Sequence, residues 1–223
     1  LAIDRMSIIK HIFHDYAIPS VSMLPPGNIF FHKQIKQVKV DINRSNQLLD
    51  EVGLKKNPST GYRVTLTYKT TNDKTRLAIA KVIAGNLKKI GIHIKIQNLE
   101  WGRFKSDIEK GNVQLWSLAW IGFKDPDIYN YAFSSQSFPP LGANRGRYSN
   151  PKLDALLKLG KETIDLEKRK NLYIRVQEIL NRDLPYIYLF HESNLAVMTN
   201  RLKNFEVYAD GRYRSLRGAY LVQ

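Results

Sequence analysis

The order of elements along the sequence predicts an α/β domain in which a mixed β-sheet is flanked by helices. Residues 62–68 alternate, with Val64, Leu66 and Tyr68 on one face, and Ile92, Ile94 and Ile96 alternate with His93 and Lys95. Both stretches read as half-buried strands. Between them, Leu77, Ala80, Ile83, Ala84 and Leu87 recur at helical spacing over 74–89, and Gly91 closes the run. A short helix over 102–110 and a third strand over 113–120 complete a strand–helix–strand–helix–strand order. Connections of that kind lay helices over a sheet.

The flanking elements follow from caps and breakers. Asp4 can cap a helix whose Ile8, Ile9, Ile12 and Phe13 share one face and which ends before Pro19. Met23-Leu24-Pro25-Pro26-Gly27 reads as an extended, turning connection. Asp41 caps a short helix around Asn46-Gln47-Leu48-Leu49, closed by Gly53. Helices are expected over 151–159 and 166–180, a strand over 184–197, and mixed structure from Lys203 onward. No repeat, low-complexity stretch or linker divides the chain, so one domain is expected.

Composition narrows the function classes. With 223 residues and 43% hydrophobic content the chain can bury a substantial core, and disorder is not expected. Its 35 Lys and Arg against 20 acids give +15. That excess fits an anionic partner such as nucleic acid or an anionic membrane, or else a solvated surface, or one half of a protein whose other half carries compensating acid. The basic residues are scattered, and the densest group, Arg212, Arg214 and Arg217, is interrupted, which favours the solvated surface. The absence of cysteine excludes disulfides, thiolate nucleophiles and Cys-based zinc sites. No apolar run has the length needed to cross a bilayer. The first residue is Leu1 rather than Met and leads straight into a helix, so an upstream segment is expected to have been removed.

Catalytic signatures are missing. Of the five histidines, His11 and His14 lie one helical turn apart but have no acid at ligand spacing, which makes them a surface pair. No HExxH, GxSxG, P-loop or GxGxxG occurs. Asp125-Pro126-Asp127 offers two carboxylates two residues apart, a pattern a hydrolase can use. A proline turn followed by a helix N-cap at Asp127 explains it more simply. No nucleophile stands beside a base, no cofactor or metal is called for, and an enzyme is not expected.

Several short motifs, taken in order, resemble the second lobe of the family 5 solute-binding proteins, the oligopeptide-, dipeptide- and nickel-binding group that serves ABC importers. They begin with Leu1-Ala2-Ile3-Asp4-Arg5, Pro19 and Leu24-Pro25-Pro26, then Asn46-Gln47-Leu48-Leu49-Asp50-Glu51-Val52-Gly53. They continue through Asn86-Leu87-Lys88-Lys89-Ile90-Gly91-Ile92, Glu100-Trp101, Trp120-Ile121-Gly122 and Asp125-Pro126-Asp127 to Tyr148-Ser149-Asn150-Pro151 and Leu184-Pro185-Tyr186-Ile187. The resemblance covers roughly residues 1–205.

It implies a type II periplasmic-binding-protein-like lobe over 1–205, with 206–223 a tail returning toward a first lobe that precedes this sequence. Ligand would be enclosed between lobes by hinge closure, in a periplasmic or other extracytoplasmic space. The implied partners are a peptide or similar small molecule, ABC permease subunits and the first lobe of the same protein, with no nucleic acid. Within the family, nickel, haem, sugar and opine ligands stay open.

Trp101 and Trp120 match positions that resemble ligand-facing ones, and broad aromatic faces suit a site accepting many side chains. Trp101 opens a helix just after a strand, near where α/β crevices form. The peptide binders usually carry an Asp three residues after the strand-end Trp, to pair with the ligand's ammonium. Here that position is Phe123, and Asp125 is the acid that can substitute. Arg145 is the last candidate. It sits in the Pro- and Gly-rich loop Ser137-Phe138-Pro139-Pro140-Leu141-Gly142-Ala143-Asn144-Arg145-Gly146, where a guanidinium can meet a carboxylate or close the lobes.

Overall fold

Acidic or amide side chains start almost every helix. The computed structural model describes residues 1–208 and 211–223. In it Asp4 caps α1 (Arg5–Ile12), Asp41 caps α2 (Ile42–Glu51) and Asp73 caps α3 (Lys74–Lys88). Glu100 caps α4 (Trp101–Lys110), Asn150 caps α6 (Pro151–Glu162) and Asp165 caps α7 (Leu166–Asp183). Each cap accepts from an otherwise unpaired N–H of the first turn and contributes about 1 kcal/mol. The exception is α5 (Ile128–Phe133), where Asp127 stands at the N-cap position without a side-chain capping bond.

Before α2 lies the three-residue β1 (Ala17–Pro19). Strands β2 (Val64–Thr71) and β3 (Ile92–Leu99) pair in parallel from Val64↔Ile92 to Thr71↔Leu99, with α3 as the crossover packed on both. The antiparallel pairs are β1 with β4 (Phe190–Glu192), and β5 (Leu202–Lys203) with β6 (Tyr220–Leu221). Parallel and antiparallel pairing among helices gives the mixed α/β architecture expected from the element order.

Two expected strands are shorter than their apolar patterns suggest. The strand over 113–120 reduces to one parallel bridge, Tyr68↔Leu115. The Leu115 N–H donates to Thr67 O at 3.2 Å, and its carbonyl accepts from Lys69 N at 2.9 Å. The Gln114 side chain then accepts from Thr67 N at 2.7 Å, taking the donor that a longer ladder needs. The strand over 184–197 reduces to β4, because its partner β1 is three residues long and ends in Pro19, which has no N–H. Leu184, in the left-handed conformation that ends α7, cannot extend it backward.

Two cores result. Ile8, Tyr68, Ile79, Ala80, Ile83 and Ile94 fill the space among α1, α3 and the β2–β3 pair. Tyr129, Phe133, Leu153, Leu157, Tyr173, Val176 and Leu180 join α5, α6 and α7, with Met23, Leu24 and Phe30 of the turning connection packed in. Each such side chain contributes about 2–3 kcal/mol through burial.

The connection over 20–32 is tied to α7 by polar groups. Gln177, 2% exposed, accepts from Ser22 Oγ and from His32 N, and its amide donates to Phe30 O at 2.8 Å. Removing the amide leaves a buried N–H and a buried carbonyl unpaired. Gln177→Leu is therefore expected to cost about 2–4 kcal/mol in urea unfolding, while Glu167→Gln on the exposed face of the same helix shifts the midpoint little. Equal midpoints for the two variants would show that the network does not hold the connection.

Candidate functional site

The C-terminal edge of a parallel strand pair is where α/β folds leave a crevice, because crossovers begin there and helix N-termini point outward. Here β2 ends at Thr71 and feeds α3, and β3 ends at Leu99 and feeds α4. Trp101 is the first residue of α4, held by Glu100, which accepts from Gly102 N and Arg103 N. Its indole is half exposed, leans toward Phe104 with ring centroids 6.0 Å apart, and carries the Arg76 guanidinium 5.4 Å from its ring centre. Arg76 belongs to the first turn of α3, so both crossover starts contribute to one place.

Trp120 lies beyond the Leu115 bridge on an extended segment. It is partly buried on the helical core and meets Tyr131 edge-on at 6.1 Å. Over its ring stands Arg145, 5.4 Å from the ring centre. Arg145 also lines a depression of about 50 Å³ with Trp101, Phe104, Lys105, Ile108 and Leu118. Trp101, Trp120 and Arg145, read separately from the sequence, thus come together. Ile121 and Leu141, next to Trp120 and near Arg145 in sequence, expose 88% and 83% of their surface.

The loop bearing Arg145 is rigid for a reason the sequence did not single out. Asn144 is fully buried; its amide donates to Ser134 O at 2.9 Å and Tyr148 O at 2.7 Å, and its carbonyl oxygen accepts from Tyr148 N. Gly142 lies so close to Ser137 that a Cβ would fall 2.6 Å from it, so only glycine fits there. The left-handed turn belongs to Arg147 (φ 51°) rather than to Gly146. Arg147 is not a solvated copy of Arg145. It donates to Glu109 O at 3.1 Å and places its charge at the C-terminal end of α4, where the helix dipole favours a cation.

Phe123 and Asp125 lie outside the depression. Phe123 packs against the helical core. Asp125 accepts two bonds from Arg169, at 3.0 and 2.8 Å, and caps Asp127 N within its own turn. Those bonds from Arg169 hold its carboxyl below the usual carboxylate range, against the opposing effect of burial. The expected helix cap at Asp127 is not made, because its carboxylate accepts from Arg169 at 3.0 Å and from the Tyr173 hydroxyl. Burial first, and Asp127 second, push the Tyr173 phenol up. Both carboxylates of the Asp-Pro-Asp turn are thus engaged internally, and neither is arranged as an acid–base pair.

A third carboxylate anchors the far end of the loop that bears Arg145. Asp183 at the end of α7 accepts from the Tyr148 hydroxyl and from Asn150 Nδ2 at 2.8 Å, and pairs with Arg182 at 2.8 Å. These donors, Arg182 foremost, bring its carboxyl down to about 2. Burial and the Asp183 acceptor push the Tyr148 phenol up to about 12. His11 and His14 gain no third ligand: among the described residues no group of three His, Cys, Asp or Glu can hold a metal. Among them too, no helix is long and apolar enough to cross a membrane.

The family model for bacterial extracellular solute-binding proteins, family 5 Middle, matches residues 1–139, and the chain belongs to this family. The dipeptide-binding protein of Escherichia coli is 22% identical over 213 residues, 95% of this chain and 40% of its own length. The nickel-binding protein NikA of Staphylococcus aureus is 27% identical over 95% of this chain and 42% of its own. In three dimensions the chain is similar to the ABC transporter-associated periplasmic binding protein DppA from Helicobacter pylori in complex with peptide STSA. There the TM-score is 0.83 at 26% identity, over 99% of this chain and 42% of that one. The periplasmic-binding-protein-like lobe expected from the sequence is the fold found. The chain spans about 40% of the length of the curated relatives it matches.

The paired carboxylates have a pH signature. A carboxyl with a lowered folded value stabilises fully above its unfolded value near 3.9, and the contribution is lost as pH falls through the folded value. Asp183 and Asp125 are therefore expected to steepen the loss of stability from about pH 4 downward. Asp183→Asn should lower the neutral-pH melting temperature and flatten the acid limb between about pH 4 and pH 2. An acid limb unchanged by that substitution would contradict the assignment.

Proposed function

We propose that this chain is one lobe of the binding component of an ABC importer. In this reading it holds a peptide or peptide-like small molecule against Trp101, Trp120 and Arg145 while a second lobe closes over it. Permease subunits in the membrane then take the ligand from an extracytoplasmic protein. Membership of the family supports this, as do the ligands named for the relatives, which are dipeptides, a peptide and nickel. The carrying observation is geometric. Trp101, at the C-terminal edge of the parallel strands, and Arg145 line a shallow depression of about 50 Å³, and Arg145 stands over the ring of Trp120. Ligand sites bury most of their occupant, and a single open wall cannot do so. The arrangement is half of a site.

Phe123 packs against the helical core and Asp125 is held by Arg169, so neither is assigned to this wall. Residues 206–223 are assigned to the connection with the first lobe. Tyr213, Leu216 and Leu221 expose more than half of their surfaces, as apolar groups awaiting cover do.

In the protein carrying both lobes, addition of a mixed peptide pool should change tryptophan fluorescence. Trp101→Phe should remove most of that change, whereas Trp116→Phe, on the segment leading to Trp120, should retain it. The 223-residue chain alone should bind at least tenfold more weakly. Peptide binding of equal strength by the single lobe would overturn the two-wall reading.

A further inference from the structure

Most arginines of this chain are occupied by protein acceptors. Arg5 donates to Ser20 O and Val38 O, Arg63 to Asp50, Arg103 to Asp107, Arg147 to Glu109 O, and Arg169 to Asp125 and Asp127. Arg76 and Arg145 differ. Among the described residues neither makes an ion pair or a side-chain hydrogen bond to protein, and each lies 5.4 Å from the ring centre of a tryptophan. The Arg76 Nη1 is moreover buried without a partner. A buried N–H of a cation that finds no acceptor carries a desolvation cost of the kind proteins rarely leave uncompensated.

The two guanidiniums serve one place. Arg76 covers the face of Trp101, and Arg145 lines the same depression as Trp101. Stacking on an indole fixes the plane of a guanidinium, the preorganisation that favours receiving a carboxylate with two bonds. The acids nearby do not neutralise the pair. Asp73 is engaged as the cap of α3 by the Arg76 backbone N–H, Glu100 by the N-terminal N–H groups of α4, and Glu109 faces Lys105 at 3.8 Å. Lys105 adds a second cation, beside Arg145, to the lining of the depression.

We propose that Arg76 and Arg145 together make this lobe selective for acidic ligands, by receiving a side-chain carboxylate of the bound peptide between the Trp101 and Trp120 stacks. This rests on the peptide-binding reading and adds to it a charge preference, with the exposed Ile121 and Leu141 offering apolar contact beside the anchor. Asn144 holds Arg145 in place by fixing the loop from inside, and is a positioning residue.

The test uses the protein carrying both lobes and calorimetric titration with Ala- and Leu-based tripeptides and pentapeptides. Each carries one Asp or Glu, or the matching Asn or Gln. Acidic peptides are expected to bind at least tenfold more tightly than their amide counterparts. Arg145→Gln and Arg76→Gln should each remove most of that difference, lowering affinity for the acidic peptides more than for their amide counterparts. Arg145→Lys, which keeps the charge but loses the planar donor pair, should retain part of it. Equal affinity of the two peptide sets for the unaltered protein overturns the proposal and leaves peptide binding standing, and needs no variant to fold. Preference surviving in both Gln variants overturns the assignment to these residues. Failure of every peptide to bind overturns the peptide-binding reading and this proposal with it.

Discussion

The Arg169 guanidinium is the joint on which the helical half of this lobe depends. It lies 5.2 Å from the ring centre of Phe30 and 5.4 Å from that of Tyr173, and it donates to Asp125, Asp127 and Gly160 O. One side chain thereby links the connection over 20–32, the Asp-Pro-Asp turn, α6 and α7. Its side chain is only 17% exposed, so water competes weakly for these bonds. Opposed charges alone at the surface contribute little. Here planarity, aromatic faces and a two-pronged acceptor act together, which is the combination that makes arginine irreplaceable by lysine.

From that joint the chain leads back to the candidate site. The Asp-Pro-Asp turn comes a few residues after Trp120, and α6 begins just after the loop that carries Arg145. Both segments that the helical half contributes to the candidate site are thus fastened at their distal ends, one by Arg169 and the other by Asp183 through Tyr148 and Asn150. The α/β half contributes Trp101 and Arg76 from the starts of its two crossovers. The site lies at the meeting of two cores, each of which holds its share of the side chains by ordinary packing.

How much of this was legible in the sequence depends on whether the cause was local. Helix starts were legible, because Asp4 and Asp41 fix the first turn through bonds three residues away. The β2–α3–β3 unit was legible too, since period-2 and period-3.6 patterns state which face is buried. Strand lengths were not. The apolar run before Trp120 pairs only at Leu115, and the run after Leu184 pairs over three residues, because ladders end where the partner ends. Trp101, Trp120 and Arg145 were found as chemistry, but their convergence spans the chain and no local signal states it. Arg76 was missed altogether: it reads as one more cation on a helix, and only the indole beneath it sets it apart. The Asp125–Arg169 pair, 44 residues apart, was invisible for the same reason.

The bond from Arg147 to the end of α4 has a further bearing on recognition. Trp101 stands at the first residue of that helix, and the loop of Arg145 is latched to its last turn. Helix, latch and loop form a closed frame whose span is set by ten residues of α-helix, about 15 Å. Much of the freedom that a lone arginine on a loop would surrender on meeting its target has been surrendered already, during folding. On the proposed reading, a ligand arriving at this edge meets a shape already made, and discrimination between near-identical ligands rests on fit rather than on accommodation.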